Sequence, residues 1–137
     1  MNFTVSFWDP FKPYEIKMGE MDAAKVLETF EKVPWIKFLE RMVGKKPNEI
    51  NYSPTIEITN TENKTALTLS ATGLPDKVEY YIFFKRSKKV KQFFGLSEKL
   101  KENYLSEAKG QTYDDASNCL QAFLKNDLDL IESKMPS

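Results

Sequence analysis

Residues 85–94 interleave cations with aromatic rings in the run KRSKKVKQFF. Cationic side chains neutralise anions and aromatic rings supply flat apolar surface, a combination that proteins use to hold a nucleic-acid backbone and stack its bases. The same combination also suits an acidic protein surface, which lysines attract over a distance. The residues just before the run add further rings. The predicted partner-binding patch consists of Tyr81, Phe83, Lys85, Arg86, Lys88, Lys89 and Lys91.

The charge is segregated along the chain, although its twenty basic and twenty acidic residues cancel. Residues 85–101 carry seven basic residues against one acid, whereas residues 102–137 carry three against seven. A domain devoted to nucleic acid usually has a basic excess, and no RNP, KH or zinc-finger motif is present. We therefore expect a protein partner with an acidic surface. Binding of RNA or single-stranded nucleic acid through residues 85–94 is the alternative.

The chain offers little catalytic chemistry because it contains no histidine. This removes Ser-His-Asp and Cys-His nucleophiles and the commonest ligand for transition metals. Cys119 cannot build a thiolate metal site alone, and the five scattered glycines form no phosphate-binding loop. Asp114 and Asp115 are expected to cap a helix, and the acids of residues 127–132 lack the spacing of a calcium loop. We predict no enzyme activity, cofactor or metal; carboxylate-based hydrolysis is the catalytic alternative.

A chain of 137 residues has the usual length of one domain, so residues 1–137 are expected to fold as a unit. No apolar stretch approaches the roughly 20 residues that span a bilayer, and the N-terminus lacks the pattern of a signal peptide. The lone Cys119 allows no internal disulfide, which fits a reducing compartment. A cytoplasmic location is therefore predicted, and a leader removed before residue 1 stays an open alternative.

The first fifteen residues are rich in aromatic side chains and prolines. Phe3, Val5 and Phe7 alternate with polar residues, as in a half-buried strand, and Pro10 and Pro13 then force an extended loop. Three further rings either pack on the core or, if exposed, form an interface cluster. These rings are Trp8, Phe11 and Tyr14.

Helical periodicity predicts a bent helix pair, residues 22–33 capped by Asp22 and residues 34–43. Residues 97–104 are predicted to form a short helix that begins at Ser97, and Gly110 with Gln111 to form a loop. A C-terminal helix begins at Asp114 behind a capping box of Thr112 and Asp115. It is either continuous or divided at residues 126–127, and its phase places Cys119 on the buried side.

Three β-rich runs, residues 55–60, 65–73 and 78–86, are separated by short turns and predict an antiparallel meander. The third run has apolar residues on both faces, which implies either a strand covered twice or an exposed aromatic patch. We predict an α+β two-layer sandwich with a three- or four-stranded meander, packed by the N-terminal helix pair and the C-terminal helices. The fourth strand would be the N-terminal run or residues 88–94.

The leading functional expectation is a small non-catalytic protein-binding module. One concrete form is an inhibitor or immunity-type protein that blocks a partner, an analogy of size and composition rather than a motif match. A further alternative is a small-ligand pocket between sheet and helices, with Trp35, Tyr80 and Tyr81 as its lining.

Overall fold

The computed structural model describes residues 2–92 and 97–136, and the side chains of residues 90–92, 97 and 98 are excluded from that description. Its strands are β1 (Asn2–Trp8), β2 (Glu15–Asp22), β3 (Thr55–Asn60), β4 (Thr65–Leu74), β5 (Lys77–Gln92) and β6 (Ser97–Gln111). Its α-helices are α1 (Ala23–Lys32), α2 (Trp35–Met42), α3 (Tyr113–Leu124) and α4 (Leu128–Lys134). A 3-10 turn covers Pro47–Glu49.

The strands form one six-stranded sheet in the order β2-β1-β3-β4-β5-β6, and all neighbours are antiparallel. The chain leaves the β1–β2 hairpin, passes through α1 and α2, and returns on the other side of β1 as β3. The predicted α+β class is therefore confirmed. The predicted count of three or four strands is wrong, because the two edge strands, β2 and β6, are not predicted from the sequence.

Strand β6 corrects the prediction of a short helix at residues 97–104 and a loop at Gly110 and Gln111. Its sequence, SEKLKENYLSEAKGQ, is rich in good helix formers, but pairing with β5 overrides that local preference. The register with β5 shifts twice, where Asn103 and Gly110 adopt positive φ angles of 55° and 65°. Such bulges twist an edge strand and limit its pairing with other chains. Strand β2, also missed, is largely exposed at the opposite edge.

The other predicted helices are confirmed, as are the caps at Asp22 and Thr112. The Asp22 side chain accepts a hydrogen bond from the Lys25 backbone N–H at 2.9 Å, which starts α1. Thr112 and Asp115 form the reciprocal capping box of α3, with both hydrogen bonds at 3.0 Å. Asn126 has a positive φ of 59°, so the C-terminal helix is divided rather than continuous. No helix among residues 2–92 and 97–136 is long and apolar enough to cross a membrane.

All four helices lie on the same face of the sheet. Contacts from the helices reach Phe3, Phe7, Tyr80 and Arg86, which point to that face. The helix-covered face is the core, and Cys119 of α3 is fully buried in it, as predicted. Its largest fully buried side chains are Phe3, Phe30, Phe84, Phe123, Leu39, Ile56, Ile58, Leu67, Leu69, Ile82, Leu120 and Ile131.

Outside this core, the three rings of the N-terminal loop region take different positions. Trp8 is half-buried, Phe11 lies under the guanidinium of Arg41 at 4.3 Å from its ring centroid, and Tyr14 is exposed.

Candidate binding surface on strand β5

The two-residue alternation of strand β5 divides the predicted patch between the two faces of the sheet. Phe84 is fully buried against the helices and Arg86, two residues on, is 5% exposed on the same side. Tyr81, Phe83 and Lys85 are half-buried on the opposite face, which none of the helices within residues 2–92 and 97–136 covers. The seven predicted residues therefore do not form one surface.

The rings of Tyr81 and Phe83 stand side by side on the open face, with centroids 6.4 Å apart in an edge-on arrangement. Their neighbours across β4 are Ser70 and Thr68, whose side chains are small. Part of the aromatic surface is consequently left exposed. Of the two possibilities that the sequence leaves open for β5, the structure is nearer to the exposed patch: its open face carries a partly exposed pair of rings.

Two exposed leucines of β6 extend this surface. Leu105 lies opposite Lys85 and is 57% exposed, and Leu100 lies opposite Lys89 and is 55% exposed. Within the part of the chain that the structure describes, neither lysine has a carboxylate oxygen within 4.0 Å. We name this surface the open-face stripe; it consists of Tyr81, Phe83, Lys85, Lys89, Leu100 and Leu105.

The sequence does not predict these leucines for the site, because residues 97–104 are predicted as a helix and Leu105 falls just after it. The alternation of half-buried Tyr104 and Ser106 with exposed Leu105 appears only when β6 is paired with β5.

Arg86 corrects the expectation of a partner-facing cation, because its guanidinium is enclosed between α4 and the sheet. Its Nε donates to Glu132 Oε1 in a very short ion pair, and its Nη1 donates to Ser106 Oγ at 2.7 Å. Nη1 also lies 3.2 Å and 3.4 Å from the carbonyl oxygens of Phe84 and Tyr104. Arg86 therefore joins α4 to the central strands rather than meeting a partner.

Lys88 lies on the same side as Arg86. Its Nζ is 3.7 Å from Glu132 Oε2 and 5.4 Å from the centroid of the Tyr104 ring. Lys89 is exposed on the open face. The backbone of Lys91 pairs with β6, but its side chain lies outside the described part of the chain, as do residues 93–96 with both phenylalanines of the basic run.

Two of the three side chains predicted to line a ligand pocket do meet in one cleft. Trp35 and Tyr80 line a cleft of about 340 Å³ together with Tyr113, and both ring pairs, Trp35–Tyr80 and Tyr80–Tyr113, have centroids 5.8 Å apart. Tyr81 does not belong to it because it points to the open face. The Trp35 Nε1–H finds no acceptor among the described residues. Burial, with a smaller contribution from Tyr113, raises the pKa of Tyr80 to about 12, so its hydroxyl stays protonated at neutral pH.

Two of the acids considered in the sequence analysis, Asp115 and Glu132, have structural partners. Asp115 accepts the backbone N–H of Thr112, which lowers the pKa of its carboxyl, and Glu132 pairs with Arg86 and Lys88. The described ranges contain no group of three or more histidine, cysteine or acidic side chains placed to hold a metal ion. Carboxylate-based hydrolysis thus stays a hypothesis without a pair of acids assigned to it.

The chain matches no protein-family model, no curated protein and no solved structure, so its functional assignment depends on its own geometry.

Proposed function

We propose that the protein is a non-catalytic binding module that holds an acidic protein partner on the open-face stripe. One observation supports this most strongly. Partly exposed aromatic rings, exposed leucines and lysines that have no ion pair among the described residues lie together on the sheet face opposite the four helices. Scattered exposed apolar residues are ordinary, whereas a contiguous apolar group flanked by charge is typical of an interaction site.

The two kinds of side chain in the stripe have different tasks. Tyr81 and Phe83 supply the rigid apolar area that dominates binding energy in protein interfaces, and Leu100 and Leu105 widen it. Lys85 and Lys89 attract an acidic surface and fix its orientation. Because these lysines make no internal ion pair in the described structure, neutralising them by a partner breaks no existing contact.

The positive field of the stripe comes from Lys85 and Lys89. Lys99 and Lys101 of β6 are also exposed, but Lys101 pairs with Lys88 and Lys99 precedes it by two residues, so both point to the other face. Glu132 engages Arg86 and Lys88 on the other side, so those two cations contribute less to the field than the sequence suggests. The partner of this proposal therefore meets Lys85 and Lys89 of β5.

Charge reversal tests the proposal directly. Lys85→Glu/Lys89→Glu changes the stripe by four charges, and Lys45→Glu/Lys46→Glu makes the same change at two exposed lysines outside it. We expect immobilised wild type and the control variant to capture the same acidic proteins, and the stripe variant to lose them. Capture should also weaken as salt rises. Identical captured sets for all three baits would contradict the proposal.

An inhibitor or immunity-type role is the narrower form of the proposal. It requires that the captured partner be an enzyme whose activity the wild-type protein blocks and the Lys85→Glu/Lys89→Glu variant does not. If the captured partner keeps its full activity at saturating concentrations of the protein, the inhibitor role is wrong and only the binding role stands.

Binding of single-stranded nucleic acid is the second candidate, favoured by the adjacent rings of Tyr81 and Phe83 beside Lys85. Titration of fluorescent single-stranded DNA and RNA at low salt separates it from protein binding. If the affinity for nucleic acid falls steeply as salt rises and is lost in Tyr81→Ala/Phe83→Ala, the partner is nucleic acid rather than a protein.

A further inference from the structure

A second concave surface lies on the helix-covered side of the sheet, between the edge strand β2 and the bend of the helix pair. It encloses about 370 Å³, within the 300–1,000 Å³ range of small-molecule sites. Its walls are predominantly apolar: Phe7, Met18, Met21, Val33, Pro34 and Phe38. We name it the β2 groove, and it lies on the opposite sheet face from the open-face stripe.

The groove exists because the two helices of the pair lie over different strands and leave a gap between them. α1 packs over β1 and β2, whereas α2 packs over β4. The chain bends between them at Pro34, where a helix cannot continue undisturbed. The bend leaves Phe7 half-buried and Met18 41% exposed.

A β-bulge directs Met18 into this gap. Val5 pairs with Gly19 and Ser6 with Lys17, so Met18 is an extra residue of β2, followed by Gly19 at a φ of 83°. Met18 and Met21 then share the groove wall. Methionine side chains are unbranched and polarisable, so they adapt to an inserted apolar chain.

The rim of the groove is cationic. Lys25 and Lys32 of α1 lie on one side of it, both of them exposed, with Thr29 between them. They share one carboxylate, because Glu28 Oε1 is 3.7 Å from Lys25 Nζ and 2.5 Å from Lys32 Nζ. Two ammonium groups against one carboxylate leave a net positive charge at the mouth of an apolar groove.

We propose that the β2 groove binds a small amphipathic anion, a linear acyl chain with a carboxylate head. The acyl chain lies against Met18, Met21 and Phe7, and its carboxylate lies at the rim beside Lys25 and Lys32, where it competes with Glu28 for their ammonium groups. Apolar walls with a few polar groups that fix orientation are the general pattern of ligand sites. This site is independent of the proposed protein partner, because the two surfaces share no residue.

Methyl-¹³C methionine NMR with decanoate as the probe tests the site. The chain contains five methionines, of which Met18 and Met21 line the groove and Met42 and Met135 do not. We expect saturable shifts of the Met18 and Met21 methyl signals only. Binding should tighten from octanoate to decanoate, by up to about fourfold for each added methylene that becomes buried.

Variants test the binding of the acyl chain and the binding of the carboxylate head group separately. Lys25→Gln/Lys32→Gln should weaken decanoate binding about two- to fivefold and leave decanol binding unchanged. Lys45→Gln/Lys46→Gln, the matched control, should change neither, and Met18→Trp, which fills the groove, should abolish both. Unmoved methionine signals, equal shifts at Met42 and Met135, equal affinity for decanoate and decanol, or undiminished binding to Met18→Trp would each overturn the proposal.

Discussion

The two faces of strand β5 carry the same kinds of residue, but these residues are buried on one face and partly exposed on the other. On the helix-covered face, Phe84 and Arg86 are buried, and the arginine is held by Glu132 of α4. On the open face, Phe83 and Lys85 are half-buried, and the lysine makes no ion pair in the described structure. Consecutive residues of this charged run therefore alternate between the core and the surface.

This contrast shows how a charge run in a strand should be interpreted. Seven basic residues within residues 85–101 suggest a single cationic patch. Side chains of consecutive strand residues point to opposite faces, so only every second cation can contact the same partner. The cations on the covered face must then find an internal carboxylate, as Arg86 and Lys88 both find Glu132.

The largest expected difference between the faces is between two adjacent phenylalanines. Phe84→Ala removes a fully buried ring and leaves a cavity, so we expect it to lower the free energy of unfolding by about 3–5 kcal/mol. Phe83→Ala removes a half-buried ring from the open face and should lower it by about 1 kcal/mol. Urea unfolding monitored by circular dichroism measures both variants. Equal losses would show that the open face is covered in solution.

The next effect comes from the ion pair that joins α4 to the sheet. Glu132→Ala leaves the 5%-exposed guanidinium of Arg86 without its carboxylate, and we expect the free energy of unfolding to fall by about 3 kcal/mol. The same measurement applied to Lys85→Ala should show a change within about 0.5 kcal/mol, because Lys85 makes no ion pair with any described residue.

A double variant identifies the cause of that loss. Arg86→Met/Glu132→Leu replaces the pair with apolar side chains and should recover most of the stability, because no unpaired charge is left. If the double variant is as unstable as Glu132→Ala, packing of α4 rather than the buried charge determines the loss.

Much of this architecture could be predicted from the sequence because local signals agree with tertiary packing there. The caps at Asp22 and Thr112 and the apolar stripes of the helices locate every α-helix, and alternation locates β3 and β4. Strands β2 and β6 could not be found in this way. Each is an edge strand that carries few buried residues, so its sequence shows no two-residue apolar period, and only its pairing with a neighbour defines it.

The candidate site was predictable in part for the same reason. Tyr81, Phe83, Lys85 and Lys89 could be named because they belong to β5, whose first half was identified. The burial of Arg86 depends on Glu132, which lies 46 residues away, and no local pattern indicates such a pair. The alternation from Phe84 to Arg86 was nevertheless a usable sign that this cation points to the core.

Alkaline pH should also distinguish the two faces, through a loss of stability that is smaller than those of the variants above. Burial raises the pKa of Tyr80, on the covered face, to about 12, against about 10 in an unfolded chain. The folded state therefore holds this proton more tightly than the unfolded state. The stability that this difference contributes is complete below pH 10 and is lost as the pH rises from 10 to 12. At pH 11 the loss amounts to about 1 kcal/mol.

Tyr80→Phe isolates this contribution from the lysines that titrate in the same range. The difference in free energy of unfolding between wild type and Tyr80→Phe should be constant up to pH 9. At pH 11 wild type should have lost about 1 kcal/mol relative to Tyr80→Phe. Tyr81→Phe removes a phenol from the open face and provides the matched comparison. Parallel pH curves for wild type and Tyr80→Phe would mean that Tyr80 ionises equally easily in both states, and that water reaches the cleft beside Trp35.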